Sequence, residues 1–247
     1  MDLSKWKKEG ERIDSVDRDD LYIIQNPSKF CFGMDAVLLS SFAKAKKNED
    51  LIDLCTGNGI LPILLYAKTQ AKSIRGLEIQ EDIAEMADRS IRMNEIEDRV
   101  KIVTGDVKDA SKIFGASSFN VVTCNPPYMI ENHGIKNPSD AKYIARHEAL
   151  CTLEDIVYQT SRLLKMNGRC YFVHRPFRLV DLFYEMRKNK IEPKRMRLVH
   201  PYKDREPNMV LVEGVKGGNS RLTIEKPLVV YKDKNVYTDE IISIYRD

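Results

Sequence analysis

The chain has 247 residues, of which 43% are hydrophobic and 31% charged, and its formal net charge is +3 at pH 7. This length suits one large domain or one domain with a small extension, and the apolar content excludes a disordered chain. The N-terminus is charged throughout, unlike a signal peptide, and no apolar run approaches the ~20 residues of a membrane span. We therefore expect a cytoplasmic protein.

The five cysteines are odd in number and scattered along the chain, at Cys31, Cys55, Cys124, Cys151 and Cys170. The sequence contains neither a Cys-x-x-Cys pair nor the usual ligand spacing of a zinc site. Free thiols in a reducing compartment and the absence of a metal site are the expectation from this pattern.

The first 45 residues are predicted to form an extension with a short strand and a helix, ahead of a main domain over residues 46–247. Residues 1–20 carry many charges of both signs, so we expect a loosely attached start, with Trp6 as the side chain that packs down. Residues 21–25 are predicted to form a strand, and residues 36–43 a helix capped by Asp35.

From residue 51 onward, strand and helix patterns alternate. Predicted strands cover 51–53, 73–79, 100–103, 119–124, 169–173, 195–199 and 209–213. Predicted helices run from the glycine loop to 69 and over 82–94, 153–164 and 179–189, with Gly168 capping the exit of the third. This alternation predicts an α/β, Rossmann-like fold with a mostly parallel sheet covered by helices on both faces. The last two strands lack an intervening helix, which predicts an antiparallel hairpin at one edge.

A glycine loop connects the first of these strands to its helix. Asp53 ends the apolar run, and Gly57 and Gly59 follow, where glycine allows a sharp turn and a close approach to a ligand. The dinucleotide fingerprint needs a third glycine where this chain has Pro62, so that fingerprint is broken. The remaining Asp-x-x-x-Gly-x-Gly resembles the first motif of methyltransferases that use S-adenosylmethionine (SAM). A glycine turn with no ligand is the alternative.

Acidic or amide side chains follow four successive strands, at Asp53, Glu78, Asp106 and Asn125. In an open α/β sheet, ligands bind beyond the carboxyl ends of the strands. Glu78 lies 25 residues after Asp53, close to the offset at which a carboxylate accepts hydrogen bonds from ribose hydroxyls. Asp106 is placed to accept a hydrogen bond from the exocyclic amine of the cofactor's adenine. Helix caps or solvated acids are the alternative.

The sequence Asn125-Pro126-Pro127-Tyr128 follows the fourth strand. An amide oxygen and a backbone carbonyl that accept both N–H bonds of an adenine amine favour a pyramidal nitrogen with an available lone pair. Asn125 offers the amide oxygen, Pro126 a carbonyl held by the rigid proline backbone, and Tyr128 a flat face for stacking. Catalysis would then come mostly from positioning. An ordinary Asn-Pro turn is the competing interpretation.

Basic residues are concentrated between residues 175 and 205, where ten basic and four acidic side chains occur. Such clustered positive charge suits a phosphate backbone, although a solvated charged helix would also explain it. We predict an RNA partner bound through residues that include Arg175, Arg178, Lys194, Arg195, Arg197 and Lys203.

The chain resembles the bacterial adenine-N6 methyltransferases that act on valine tRNA next to the anticodon, over nearly its full length. The stretches that carry the resemblance are 30–39, 56–60, Asn125-Pro126-Pro127-Tyr128, Ala145-Arg146-His147-Glu148, His174-Arg175-Pro176 and 213–218. The resemblance implies a seven-stranded class I methyltransferase sheet, SAM as methyl donor and no metal. It leaves the roles of Arg146, His147 and Glu148 open.

The resemblance and the motifs together give a set of expected site residues. The expected catalytic residues are Asn125, Pro126, Pro127 and Tyr128; the expected cofactor residues are Phe32, which closes over the cofactor, and Asp53, Cys55, Thr56, Gly57, Gly59, Glu78, Ile79, Asp106, Val107 and Asn125.

Three alternative functions remain open on the sequence. The glutamine-N5 methyltransferases of release factors share the Asn-Pro-Pro-Tyr motif, but they normally carry a helical domain ahead of the cofactor domain. A SAM-binding or NAD-binding protein without transferase activity is disfavoured by the intact motif and by Pro62. DNA adenine methylation is disfavoured because no separate target-recognition domain is apparent.

Overall fold

A computed structural model describes residues 3–16, 20–29, 31–126 and 151–246. The predictions for Pro127, Tyr128, Arg146, His147 and Glu148 therefore lie outside the described residues. Within the described residues, no helix is both long and apolar enough to cross a membrane.

The described residues form thirteen strands and seven α-helices. The strands are β1 (Arg12–Ser15), β2 (Tyr22–Gln25), β3 (Asp50–Leu54), β4 (Ser73–Glu78), β5 (Val100–Thr104), β6 (Phe119–Cys124), β7 (Leu164–His174), β8 (Ile191–His200), β9 (Met209–Lys216), β10 (Thr223–Ile224), β11 (Leu228–Val229), β12 (Tyr231–Asp233) and β13 (Val236–Tyr237). The α-helices are α1 (Met34–Phe42), α2 (Ile60–Lys68), α3 (Glu81–Met93), α4 (Ala110–Phe114), α5 (Leu153–Leu163), α6 (Leu179–Lys188) and α7 (Asp239–Arg246).

One large sheet has the strand order β10-β8-β9-β7-β6-β3-β4-β5, with β11 also paired to β8. Strands β3 to β7 are parallel, whereas β9 is antiparallel to both β7 and β8. The expected α/β class and the antiparallel hairpin are confirmed. The sequence analysis did not find β10 and β11, because two-residue strands are too short to show a periodicity.

The sheet is buried on both faces, and its strands alternate between two apolar cores. Leu51 and Val121 pack with helices α1 and α2, whereas Ile52 and Val122 pack with α5 and α6. Because β3 and β6 lie between the two helix layers, apolar residues predominate in both strands, with Leu-Ile in β3 and Val-Val in β6 facing opposite layers. Helix α1 shares its core with β3, and the division at residue 45 stays a prediction.

The start of helix α1 differs from the prediction. The helix begins at Met34, with Gly33 as the N-cap residue, and no side chain caps it. Asp35, the predicted cap, lies instead in the first turn, where its Oδ1 accepts a hydrogen bond of 2.9 Å from the Ala36 N–H. The Asp35 carboxylate still interacts favourably with the positive end of the helix dipole. Asp35 therefore marked the start of the helix, but the helix begins two residues earlier than predicted.

The predicted helix cap at Gly168 is also wrong. Helix α5 ends at Leu163 and β7 begins directly at Leu164, so Gly168 lies inside the strand. A Cβ atom at this glycine would lie 2.8 Å from the Lys165 carbonyl oxygen and 3.1 Å from that of Asn120. The glycine is therefore needed where two backbones approach closely, beside the shift in register between β6 and β7.

The charged N-terminal segment is ordered over residues 3–16, contrary to the expectation of a loose start. Strand β1 pairs with β2, and the Ile24 N–H donates to Ser90 Oγ of helix α3 at 3.0 Å. Trp6 packs against the cluster formed by β2 and α3, as expected. The sequence pattern missed this arrangement because the charges that suggest exposure form specific pairs with α3.

Arg89 of helix α3 holds the segment in place. Its guanidinium donates to both carboxylate oxygens of Glu11, at 2.6 and 2.8 Å, to the Trp6 carbonyl, and to Glu85. The Arg89 and Glu11 side chains are only 9% and 8% exposed. A buried pair of this kind leaves an uncompensated charge when one partner is removed.

We expect Arg89→Met to lower the free energy of unfolding by about 3 kcal/mol, because it leaves the Glu11 carboxylate buried without its partner. Arg92→Met is the matched control on the same helix. Arg92 pairs with Asp88 but is 49% exposed, so its loss should cost less than about 1 kcal/mol. Urea denaturation measures both values, and equal losses would contradict the anchoring role of Arg89.

Candidate active site

The four polar residues predicted at strand ends lie along one edge of the sheet. Strands β5, β4, β3 and β6 are parallel neighbours in that order, so their carboxyl ends meet. Asp53 is the penultimate residue of β3, Glu78 is the last of β4, and Asn125 directly follows β6. The chain order reverses between β3 and β6, which is where ligands bind in such sheets.

Asp53 is buried and joins the glycine loop to strand β6. Its Oδ2 accepts a hydrogen bond of 2.6 Å from Thr56 Oγ1, and its Oδ1 accepts one of 2.7 Å from Thr123 Oγ1. Burial raises the pKa of this carboxyl group to about 7, against the effect of the two hydroxyl donors. A cation bound nearby would favour its ionised form.

Glu78 supports the same loop from the neighbouring strand. Its Oε2 accepts from the Gly57 N–H at 2.9 Å, and its Oε1 accepts from the backbone and side-chain N–H groups of Gln80 at 3.0 and 3.3 Å. A carboxylate has about four lone-pair positions. The Glu78 carboxylate can therefore accept one further hydrogen bond. It can accept a second if the 3.3 Å bond from the Gln80 side chain is broken.

The loop itself adopts the left-handed conformation that its glycines permit. Gly57 has φ of 56° and Gly59 has φ of 82°, and Cys55 also has a positive φ of 56°. A Cβ atom at Gly59 would lie 3.2 Å from the Ala87 Cβ of helix α3. Gly59 is thus required both for the turn before α2 and for the packing of α3.

A second layer of polar side chains connects the loop to the N-terminal segment. Gln25 Oε1 accepts from the Phe32 N–H at 2.9 Å and lies 3.4 Å from Asn58 Nδ2. The Gln25 amide nitrogen donates to Asp14 of β1. Asn58 Oδ1 is fully buried and has no hydrogen-bond partner among the described residues. Phe32, one of the expected cofactor residues, is partly buried against the core.

The remaining expected cofactor residues lie beyond β4 and β5. Ile79 is half-buried directly after Glu78. Asp106 caps a short 3-10 helix, and its Oδ1 accepts from the Lys108 N–H at 2.8 Å. Val107 is buried in the core beneath that turn. The second oxygen of Asp106 lies 3.5 Å from Lys108 Nζ, at the same edge as Glu78.

Asn125 and Pro126 are the described part of the proline motif. They continue the chain directly from β6, whose Thr123 and Cys124 lie beside Asp53 and Leu54 of β3 in register. The structure thus brings Asn125 next to the strand end that bears the glycine loop.

Three thiols form a cluster that the sequence analysis missed. The Cys55 side chain contacts those of Cys124 and Cys151. The pKa of each thiol is raised, chiefly by a hydrogen bond from another thiol at Cys55 and Cys151 and chiefly by burial at Cys124, so the three remain protonated. Among the described residues, no group of three or more His, Cys, Asp or Glu side chains is arranged to hold a metal ion.

The sequence analysis also missed Thr123, Gln25 and Asn58. Thr123 had a usable signal, because a lone hydroxyl interrupts the apolar run of a buried strand. Gln25 and Asn58 had no such signal, because the hydrogen bond between them joins positions that are 33 residues apart in the sequence.

Two of the basic residues predicted to bind RNA are occupied by other partners. The Arg195 guanidinium donates to Glu213, Glu225 and the Phe42 carbonyl at 2.6 to 2.9 Å, and its side chain is only 19% exposed. Arg197 donates to Glu240 at 2.6 Å and to the Lys226 carbonyl at 2.9 Å. Their charges are neutralised within the fold. The count of basic residues did not show this, because the partner acids lie outside the counted segment.

The model of the methyltransferase small domain family matches residues 29–181. The chain belongs to this family. A tRNA1(Val) (adenine(37)-N6)-methyltransferase from Porphyromonas gingivalis is 26% identical over 216 residues, which cover 85% of this chain and 80% of the relative. The enzyme of that name from Tolumonas auensis is 25% identical and covers 90% and 91% of the two chains.

Solved structures support the methyltransferase fold. The crystal structure of a predicted O-methyltransferase from Agrobacterium tumefaciens matches with a TM-score of 0.70 at 21% identity, over 86% of this chain and 95% of that one. A geranyl diphosphate C-methyltransferase from Streptomyces coelicolor, solved with S-adenosyl-L-homocysteine, matches with a TM-score of 0.54 at 14% identity, over 74% and 75%. At these identities the similarity concerns the fold.

The residues of this methyltransferase edge fit a cofactor of the SAM type. Glu78 keeps lone pairs for ribose hydroxyls while it holds the Gly57 N–H. Asp53 carries a carboxyl group whose raised pKa a sulfonium or ammonium group would lower again. Both carboxylate oxygens of Asp53 already accept hydrogen bonds, from Thr56 and Thr123. Asp53 would therefore favour the cofactor by its negative charge and by holding the glycine loop in place.

Two buried groups give opposite pH dependences of stability. Asp53 has a pKa raised from 3.8 to about 7 in the folded protein, so its contribution to the free energy of unfolding falls as the pH rises through this range. His174 has a pKa lowered from 6.5 to about 4, chiefly by burial, so its contribution rises with pH over that interval. In the wild type the two slopes largely cancel.

We expect Asp53→Asn to become more stable relative to the wild type as the pH rises from 3.8 to about 7. The expected gain in the free energy of unfolding is about 1.4 kcal/mol per pH unit. His174→Gln should show the opposite slope relative to the wild type. Urea denaturation at several pH values gives both differences, in which the contributions of all other groups cancel. Parallel curves for wild type and Asp53→Asn would contradict the raised pKa of Asp53.

Proposed function

We propose that the protein transfers a methyl group from SAM to the N6 nitrogen of an adenine in RNA, in the anticodon loop of a tRNA and most specifically of tRNA(Val). The relatives from Porphyromonas gingivalis and Tolumonas auensis that bear this activity in their names align with 85% and 90% of this chain. The family and the fold supply the methyltransferase part of the proposal.

The observation that carries the proposal is the position of Asn125-Pro126 at the end of β6, beside the buried Asp53 and the glycine loop at the switch point of the sheet. A flat amine held there would lie beside a donor seated on β3 and β4. Bound SAM supplies an electrophilic methyl group, and the chain supplies the position of the nucleophile.

We propose that the Asn125 side-chain oxygen and the Pro126 carbonyl accept the two N–H bonds of the adenine amine. These bonds draw the nitrogen out of conjugation with the ring and aim its lone pair at the methyl group. The methylated amine then releases its proton without a strong base. By the motif, Pro127 keeps the Pro126 carbonyl in place, and Tyr128 stacks on the flipped base.

Cofactor recognition is proposed to divide among the strand ends. Glu78 would accept from the ribose hydroxyls of SAM, and Ile79 would lie against its adenine ring. Asp106 and Val107 would bind the amine and the edge of that same adenine of the cofactor. The loop Cys55-Thr56-Gly57, with Gly59, would hold the amino-acid end, and Phe32 would cover it. The bonds from Glu78 to Gly57 and from Asp53 to Thr56 support this division, because they fix the loop before a ligand binds.

RNA is proposed to contact the basic residues whose charges remain available. Lys203 is exposed, the Arg175 guanidinium donates to the Asn208 carbonyl at 2.9 Å, and Lys194 Nζ donates to the Asn219 carbonyl at 2.8 Å. Arg178 lies 2.8 Å from an exposed carboxylate, that of Asp181. The contacts of Arg175 and Lys194 are exposed and the Arg178 side chain is 28% exposed, so phosphates can compete for these groups. We leave Arg195 and Arg197 out of the proposed surface, since several internal bonds hold each of them.

Glu78→Gln should weaken SAM binding about tenfold, because an amide nitrogen cannot accept from the Gly57 N–H or from a ribose hydroxyl. Isothermal titration calorimetry measures the dissociation constant. Glu97→Gln, at an exposed position after helix α3, is the control and should leave it unchanged. An unaltered constant for Glu78→Gln would refute the ribose assignment.

Asn125→Ala should abolish methyl transfer, by about a thousandfold or more, while the dissociation constant of SAM changes little. The assay uses labelled SAM and bulk tRNA from a strain that lacks the gene, followed by nucleoside mass spectrometry. N6-methyladenosine formed by the wild type and lost in the variant is the expected result. Methylation of a release-factor glutamine instead of tRNA would overturn the RNA assignment, and a collapse of SAM affinity would overturn the role of Asn125.

A further inference from the structure

An apolar stripe runs along the outer face of the segment that follows β7. Its members are Phe177 in a short 3-10 helix and Val180 and Tyr184 in helix α6, which are 60%, 79% and 65% exposed. The spacing of three and four residues places them on one side of the helix. The opposite side, with Leu182 and Met186, is buried in the core. Helix α6 is thus apolar on both faces, and the burial of its inner face does not explain the outer one.

Large exposed side chains that lie side by side mark a binding surface more often than isolated ones do. The described chain has other exposed apolar residues, such as Met166 and Ile224, but these lie apart from the stripe in the sequence and on different strands. The stripe combines two aromatic rings and one branched aliphatic side chain over less than three turns of helix. It offers flat surfaces rather than a groove.

The stripe begins close to the proposed catalytic residues. Phe172 of β7 lies beside Cys124 of β6 in register, and Asn125 follows Cys124 directly. Phe177 is five residues beyond Phe172, so the extended chain limits their separation to about 17 Å. Adjacent strands lie only about 4.8 Å apart. A nucleic acid with one base at Asn125 therefore has neighbouring nucleotides within reach of Phe177.

Positive charge accompanies the stripe. The segment from 175 to 190 holds five basic and two acidic residues, and the stripe continues along the helix to Arg187 and Lys188. Lys188 Nζ lies 5.8 Å from the centroid of the Tyr184 ring and donates to the exposed Glu154 carboxylate at 2.6 Å. Arg187 is 3.3 Å from Glu192, and the Arg187 side chain is largely exposed, so that pair is weak and open to exchange with a phosphate.

Exposed aromatic side chains that are followed along the helix by the exposed Arg187 fit single-stranded RNA better than a protein partner. Unstacked bases pack on aromatic rings, while the backbone phosphates pair with nearby Arg and Lys side chains. A hydrophobic protein interface has its charges depleted at the centre, whereas the exposed Arg187 lies about one turn beyond Tyr184 on the same helix. An anticodon loop, whose bases are exposed, has this chemistry.

We propose that Phe177, Val180 and Tyr184 form a stacking surface for unpaired bases of the RNA substrate that flank the methylated adenine. The inference rests on the proposed function, and it assigns to α6 a role in RNA binding that is separate from catalysis. Bases stack on Phe177 and Tyr184, Val180 fills the space between the rings, and Arg187 binds a phosphate beside them.

The test measures binding of labelled bulk tRNA, from a strain lacking the gene, to the full-length protein saturated with S-adenosylhomocysteine, which prevents turnover. Phe177→Ala and Tyr184→Ala should each raise the dissociation constant about tenfold. Tyr184→Phe should restore it, because the ring face is retained. Met166→Ala, an equally exposed apolar position at the amino end of β7, is the matched control and should have no effect.

Salt dependence separates stacking from charge. The alanine variants should keep the wild-type slope of log Kd against log salt, whereas Arg187→Gln should lower that slope by about one. SAM affinity should be unchanged in all of these variants. A uniform loss of slope in Phe177→Ala and Tyr184→Ala would overturn the stacking assignment.

Failure of this proposal is distinguishable from failure of the proposed function. Wild-type binding and methylation of tRNA, with unaltered constants in both alanine variants, would overturn the stripe alone. Binding that depends on the stripe but yields no N6-methyladenosine would support the stripe and overturn the activity. Absence of RNA binding by the wild type would overturn both proposals. Self-association in sedimentation that Tyr184→Ala abolishes would assign the stripe to a protein interface and overturn the stacking proposal alone.

Discussion

The site depends on one buried carboxyl group, that of Asp53, and its two hydroxyl donors. Thr56 belongs to the glycine loop and Thr123 to the neighbouring strand β6, so the two short bonds fix the loop relative to the strand that leads to Asn125. Glu78 fixes the other side of the loop through the Gly57 N–H. The loop is thus held by side chains of three adjacent strands before any ligand arrives, which is the preorganisation that a transfer reaction needs.

Burial of the Asp53 carboxyl group is costly, and the two hydroxyl donors offset part of that cost. Desolvation raises the pKa of Asp53 towards neutrality. A positively charged ligand nearby would favour the ionised form and lower this pKa again. The same group therefore couples ligand binding to stability, since ligand that binds only the folded state stabilises it.

The sequence predicted those parts of the fold that depend on local patterns. Strand β6 was predicted at its observed bounds, and β4, α3 and α6 to within one or two residues, because each has a regular apolar period between clear turn signals. The error at Gly168 arose because a glycine needed for close backbone contact has the same local signature as a helix cap. The ordered N-terminal segment depends on Arg89, which is distant in sequence, and no local pattern shows such a pair.

The candidate site divides in the same way. Asp53, Glu78 and Asn125 could be found because parallel strands bring their carboxyl ends together. Gln25 and Asn58 could not be found, since their contacts follow from packing, and Thr123 could be found only through the lone hydroxyl in its apolar strand. The count of charged residues around Arg195 was misleading because it covered one segment only. Glu225, which follows β10 directly, pairs with Arg195 from outside that segment.

The position of β9 has a consequence for synthesis of the chain on the ribosome. Strands β3 to β6 form one half of the sheet and are complete once residue 124 has been translated. Strand β7 keeps one edge without a partner until residues 209–216 have emerged, because β9 is the neighbour on that side. The nascent polypeptide therefore passes through a stage in which the half that bears the glycine loop is assembled while an apolar strand edge is open to mispairing.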